Sequence, residues 1–178
     1  ILRYQRNYSK GSNIGGLITN RVLKGGGSDH TIGLSGRHQF LESYTINFEL
    51  NKSITNEPNN DWIEDKGFIK NRSLKLDGES YSGDAFFLNL RRTSVNWESS
   101  LGYEQLSPLY RTPLGFSIQN ASKNIFLSQN YIYYGDNFIQ RATIGADLEW
   151  QFNYDDLQKN GGIQVEAELV MRKNLETR

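Results

Sequence analysis

The chain has 178 residues, 20 basic and 20 acidic side chains in balance, a mean hydropathy of -0.64 and no cysteine. A neutral balance gives nucleic acid no electrostatic footprint, and the absence of thiols removes disulfides and zinc-thiolate sites. No apolar run approaches the roughly 18 residues of a membrane helix, but transmembrane barrel strands are not excluded, because their polar face dilutes the average.

Period-two alternation and turn chemistry predict nine strands, over 1–8, 13–23, 29–39, 42–52, 84–92, 95–105, 122–134, 138–152 and 161–172. The opening at Ile1, without an initiator methionine, is expected to follow removal of a leader or to mark an excerpt of a longer chain. KGGGS, from Lys24 to Ser28, lacks the Gly-Lys-Ser/Thr of a phosphate cradle and reads as a hairpin loop. His30 and His38 share a face of the third strand, but eight residues at roughly 3.3 Å each hold them too far apart for one metal. The fourth strand sets Ile46, Phe48 and Leu50 against Thr45, Asn47, Glu49 and Asn51.

Residues 53–83 are expected to form a long external loop, with the weak alternation at Arg72–Ser80 as a hairpin arm inside it. VNWESSLGYEQ, 95–105, places Val95, Trp97, Leu101 and Tyr103 opposite Asn96, Glu98, Ser100 and Glu104. Residues 142–152 set Ala142, Ile144, Ala146, Leu148, Trp150 and Phe152 against Thr143, Asp147, Glu149 and Gln151; residues 163–171 set Ile163, Val165, Ala167, Leu169 and Met171 against Gln164, Glu166 and Glu168.

The connections alternate between tight (9–12, 40–43, 91–94, 134–137) and longer (24–28, 53–83, 106–121, 153–160). In an up-and-down meander every second connection lies at the same end, so one end carries turns and the other loops. That asymmetry, strands of about 11 residues, and aromatics near strand ends (Tyr131, Tyr133, Tyr134, Phe138, Trp150, Phe152, Tyr154) favour an antiparallel transmembrane β-barrel of the outer-membrane type. Small residues on the apolar faces, Gly16, Gly36, Ala142, Ala146 and Ala167, suit lipid better than a packed core. The competing reading is a soluble lipocalin-like barrel, whose apolar faces point inward at a hydrophobic small molecule.

In the barrel reading Val95, Trp97, Leu101, Tyr103, Ile144, Leu148, Trp150, Val165 and Leu169 face lipid. Glu98, Glu104, Arg141, Asp147, Glu149, Glu166 and Glu168 face the lumen, joined by Arg91, where they either set solute selectivity or pair across strands. Trp62 and Phe68 in the long loop either stack on sugar rings or pack the loop on itself, and Asp61, Glu64 and Asp65 lack the spacing of a calcium loop. No nucleophile-elbow spacing occurs, so neither catalysis nor a cofactor or metal is expected. The expected partners are the bilayer and its lipopolysaccharide, other outer-membrane or periplasmic proteins, and a glycan, not nucleic acid.

GDAFFLNLRRTSVNWESSLGYEQLSPLYRTPLGF, Gly83–Phe116, resembles the C-terminal barrel of a Gram-negative family of outer-membrane proteins that carry an N-terminal carbohydrate-binding module of family nine. NIGGLITNR (Asn13–Arg21) and NKS (Asn51–Ser53) are similar to it as well. Here Gly115 and Phe116 lead to Ser117 rather than the family's arginine, and the nearby basic residue is the earlier Arg111. The resemblance implies an outer-membrane pore, transport or surface-display role tied to carbohydrate binding or uptake. It also implies a larger barrel, since nine strands is odd and bacterial barrels are even.

Overall fold

The computed structural model describes residues 1–23, 26–60, 67–69, 72–73, 75–111, 121–135, 138–172 and 176–177. All nine predicted strands form: β1 (Leu2–Ser9), β2 (Ser12–Val22), β3 (Ser28–Phe40), β4 (Tyr44–Asn56), β5 (Ser80–Thr93), β6 (Trp97–Leu106), β7 (Ser122–Tyr134), β8 (Ile139–Asn153) and β9 (Gln158–Met171). Each pairs antiparallel with its neighbours in sequence, giving one meandering sheet to which Glu176–Thr177 adds a two-residue tenth strand against Leu169 and Val170. Among the described residues no helix forms.

Several strand limits differ from expectation, among them the start of β9, at Gln158 and not 161. The strand expected from residue 95 begins at Trp97, because Ser94 N–H and Ser94 Oγ both donate to the Trp97 carbonyl and close a tight turn that holds Val95. Val95 is therefore an exposed turn residue and not part of the strand face assigned to it. The long loop shortens to 57–79, since Ser53–Asn56 pair with Gly83–Ser80 and extend both flanking strands. Within that loop Phe68–Ile69 pairs with Arg72–Ser73 and Asn59–Asn60 with Leu76–Asp77, so hairpin arms do occur there.

Opposed residues share a face of a sheet, so the register carries one face assignment across all nine strands. One row runs Ile46, Leu90, Leu101, Leu127, Leu148, Ile163 and contains no polar side chain. The adjacent row on the opposite face runs Thr45, Arg91, Ser100, Ser128, Asp147, Gln164. Alternation within strands thus becomes two continuous surfaces, one apolar and one polar.

Exposure sets the sense. Ile18, Ile32 and Ile54 are 50%, 54% and 39% exposed, while the polar neighbours Thr19, Thr31 and Ser53 are 7%, 6% and 1% exposed. Among the described residues Tyr81 and Tyr110 are the buried large hydrophobic side chains; beside them and Pro58 the buried side chains are polar or charged. A water-soluble globule shows the reverse distribution.

The turn end is compact. Gly11 takes φ 70 in the β1–β2 turn, where a Cβ would strike the Gln39 side chain, and Leu41 and Glu42 hold φ 46 and 54 between β3 and β4. At the loop end β2 leads to β3, β4 to β5, β6 to β7 and β8 to β9, the last connection, 154–157, tightened to four residues because Asn153 N–H reaches the Leu157 carbonyl. Both β1 and β9 run from the loop end to the turn end, parallel to each other, and among the described residues no pairing joins them.

Candidate functional site

The polar face is charged unevenly. On β1–β3 it presents Arg3, Arg21 and Arg37 with Asp29; on β6–β9 it presents Glu98, Glu104, Asp147, Glu149, Glu166 and Glu168 with Arg141. A basic half, on β1–β3, and an acidic half, on β6–β9, therefore lie at opposite ends of one face. Cross-strand contacts neutralise part of the acidic half: Arg141 Nη2 donates to both Glu168 oxygens at 2.9 Å, and Arg91 lies 3.6 Å from Glu98. Asn124 donates to Glu104 at 3.3 Å, and Asn89 donates to Ser100 at 2.7 Å. These pairs are solvated, so each contributes about 0–1 kcal/mol and mainly fixes side-chain position.

The loop end of the same face holds a cluster that the sequence reading did not assemble. Tyr81 Oη donates to Glu57 Oε1 at 3.0 Å, the Arg111 guanidinium lies 3.7 Å from the same oxygen, and that guanidinium sits 5.0 Å from the centre of the Tyr81 ring. The Glu57 side chain is 4% exposed, and among the described residues its second oxygen, Oε2, meets no hydrogen-bond partner; the same holds for the buried Thr31 Oγ1 in β3. Burial pushes the Tyr81 phenol upward in pKa; Arg111 opposes this, while Glu57 and Asp29 reinforce it. Tyr81 is the second residue of β5, at its loop end, three residues before Asp84, which lies 3.9 Å from Lys52 on the opposite face.

The apolar face is bordered by aromatics at both ends. Near the turns Tyr8, His38, Phe40 and Tyr44 stack in series with centroids 6.0, 5.9 and 5.4 Å apart, and Trp97 meets Tyr131 edge-on at 5.8 Å. His38 Nδ1 also pairs with Tyr8 Oη at 2.9 Å. Near the loops Phe86 meets Tyr103 at 5.8 Å, and Lys123 lies over Tyr154 at 5.2 Å. Trp97, Leu101, Tyr103, Ile144, Leu148, Trp150, Val165 and Leu169 all fall on this face. Compared with family models, curated proteins and solved structures, the chain has no match.

Phe68 lies in the short hairpin of the long loop, whereas Trp62, Asp61, Glu64 and Asp65 fall outside the described residues. Among the described residues no group of three His, Asp or Glu side chains could hold a metal ion. Ser53 and Glu57, Tyr81, and Arg111 went unassembled because they converge from three separate stretches of chain. The one local signal was glycine in the Gly83-Asp84-Ala85 stretch, where the strand has no side chain on its polar face.

Proposed function

We propose that this chain forms the wall of an antiparallel transmembrane β-barrel in a Gram-negative outer membrane, serving as a pore, transport or surface-display component in carbohydrate binding or uptake. The observation that carries the reading is the inverted burial: continuous rows of large apolar side chains face outward while the sheltered side is polar. A barrel holding a hydrophobic small molecule needs the opposite sense. Dimensions agree. From Ala142 to Phe152 the apolar row on β8 spans ten residue steps, about 34 Å along the strand, which a tilt near 40° reduces to about 26 Å. An outer-membrane barrel's apolar band is about 25 Å tall between its aromatic girdles.

The uneven charge of the polar face gives a water-filled passage a transverse field that acts on charged solutes. The sugar association comes from the resemblance carried by Gly83–Phe116. Fluorescence in vesicles of acyl-brominated lipid tests the lipid-facing assignment: Trp97 and Trp150 should be strongly quenched, and Trp placed at Asp147 should not. A chain that folds as a monomer in plain buffer, with its tryptophans untouched by brominated lipid, would return the reading to a soluble barrel.

A further inference from the structure

We propose that Ser107–Arg111 is a strap that folds inward onto the polar face and narrows the passage at its loop end; this rests on the passage reading above. After β6 the chain turns back over β5 and β4 and does not leave the sheet. Ser107 N–H donates to the Asp84 carbonyl at 2.9 Å and Ser107 Oγ accepts from Asp84 N–H at 2.8 Å. Two residues later the strap lies against bare backbone: a Cβ placed on Gly83 would sit 2.2 Å from Tyr110 N and 2.4 Å from the Leu109 carbonyl carbon. Arg111 N–H then donates to Ser53 Oγ at 3.1 Å, and Ser53 Oγ donates to the Gly83 carbonyl at 3.4 Å.

Side chains lock what the backbone begins. Tyr110 is 5% exposed, and its phenol is pushed up in pKa first by burial and then by the charge of Glu49, which lies further along the polar face from Ser53. Tyr110 therefore occupies space on the side of the sheet that the proposed passage uses. Arg111 ties the end of the strap to Glu57, the buried carboxylate whose only described cationic neighbour it is. Gly83 is what allows the approach: any side chain there meets strap backbone, not a flexible tip.

The test uses the full chain refolded in detergent and reconstituted in planar bilayers. Gly83→Ala should evict the strap and Arg111→Ala should unlatch it, while Gly162→Ala, with nothing within 4 Å of the added carbon, is the control. Amide exchange across 107–111 should accelerate at least tenfold in the first two variants and not in the control, with β7 and β8 still protected. Single-channel conductance should rise in the same two variants. Unchanged exchange in both would overturn the latch, and faster exchange at unchanged conductance would overturn its role as a constriction. No current from the wild type or any variant would overturn the passage reading, and the constriction with it, whereas equal current in all of them overturns the strap alone.

Discussion

Arginine at Leu148 separates, by magnitude, a lipid-facing apolar row from one left in water. Leu148 lies six residue steps from Ala142 and four from Phe152, about 20 and 14 Å along the strand, so it sits about 3 Å from the middle of the apolar row. Its cross-strand neighbours are Leu127 and Ile163, and neither offers a guanidinium a hydrogen bond. At the midplane of a bilayer this substitution costs about 2–4 kcal/mol, or about 30- to 700-fold in the folding constant. Against water the same partly exposed position would change stability by about 0.5 kcal/mol or less. Arginine at Asp147, on the opposite face between Ser128 and Gln164, should cost under about 1 kcal/mol in either solvent. The assay is an equilibrium urea titration of each variant folded into lipid vesicles, read by tryptophan emission and by the heat-dependent gel shift. Equal penalties at 147 and 148, or a larger one at 147, would refute the face assignment.

Leu41 and Glu42 hold left-handed backbone without being glycine, a cost of about 1–3 kcal/mol each, so Leu41→Gly should raise the urea midpoint with little change in slope. Tyr81 and Tyr110 both have raised pKa values, so the folded state holds their protons more tightly than the unfolded chain does. Their stabilisation is complete below the unfolded value of about 10 and fades as pH rises above it; the unfolding free energy in urea should therefore fall above about pH 10, and two phenols should titrate later than the rest by absorbance at 295 nm. Replacing Asp147, Glu149 and Glu166 by their amides removes three of the six acidic charges on β6–β9. It should shift the reversal potential in a salt gradient toward anions, and an unmoved potential would show that these rows only solvate the wall.

Strand existence was legible because a meander makes each strand carry its own full alternation, and the seventh strand's limits, 122–134, match those of β7. Errors fall where local bonding overrides alternation. Val95 continues the pattern, yet Ser94 closes a turn onto Trp97; Ser53 and Thr55 look like loop residues, yet register with Gly83 and Tyr81 extends both strands. Face membership of Glu98 or Leu148 needs only parity within one strand. The cluster of Glu57, Tyr81 and Arg111 needs the fold of two long loops, and no periodicity encodes where a loop returns. Gly83 hinted at a close approach, but its partner, Tyr110, lies 27 residues on and is fixed only by the three-dimensional register.

The energetics bear on the same choice of solvent. Folding in water draws its driving force from apolar surface removed from water, at about 25 cal/mol per Å². Here the sheet leaves Ile14, Ile18, Leu34, Leu101, Ile144 and Ile163 more than two-fifths exposed, while Tyr81 and Tyr110 are the described large hydrophobic side chains that it buries. In water such a chain loses the conformational entropy of ordering nine strands and recovers little through burial. In hydrocarbon the terms change sign. The outward rows leave water on insertion, and every paired strand satisfies backbone groups that lipid cannot. On that argument the outer edges of β1 and of most of β9, unpaired among the described residues, matter as much as the apolar face, because an unpaired edge inside a bilayer costs several kcal/mol per group. The two edges run parallel, so joining them directly makes a parallel seam, whereas Glu176–Thr177 already approaches β9 in the antiparallel sense that the rest of the sheet uses.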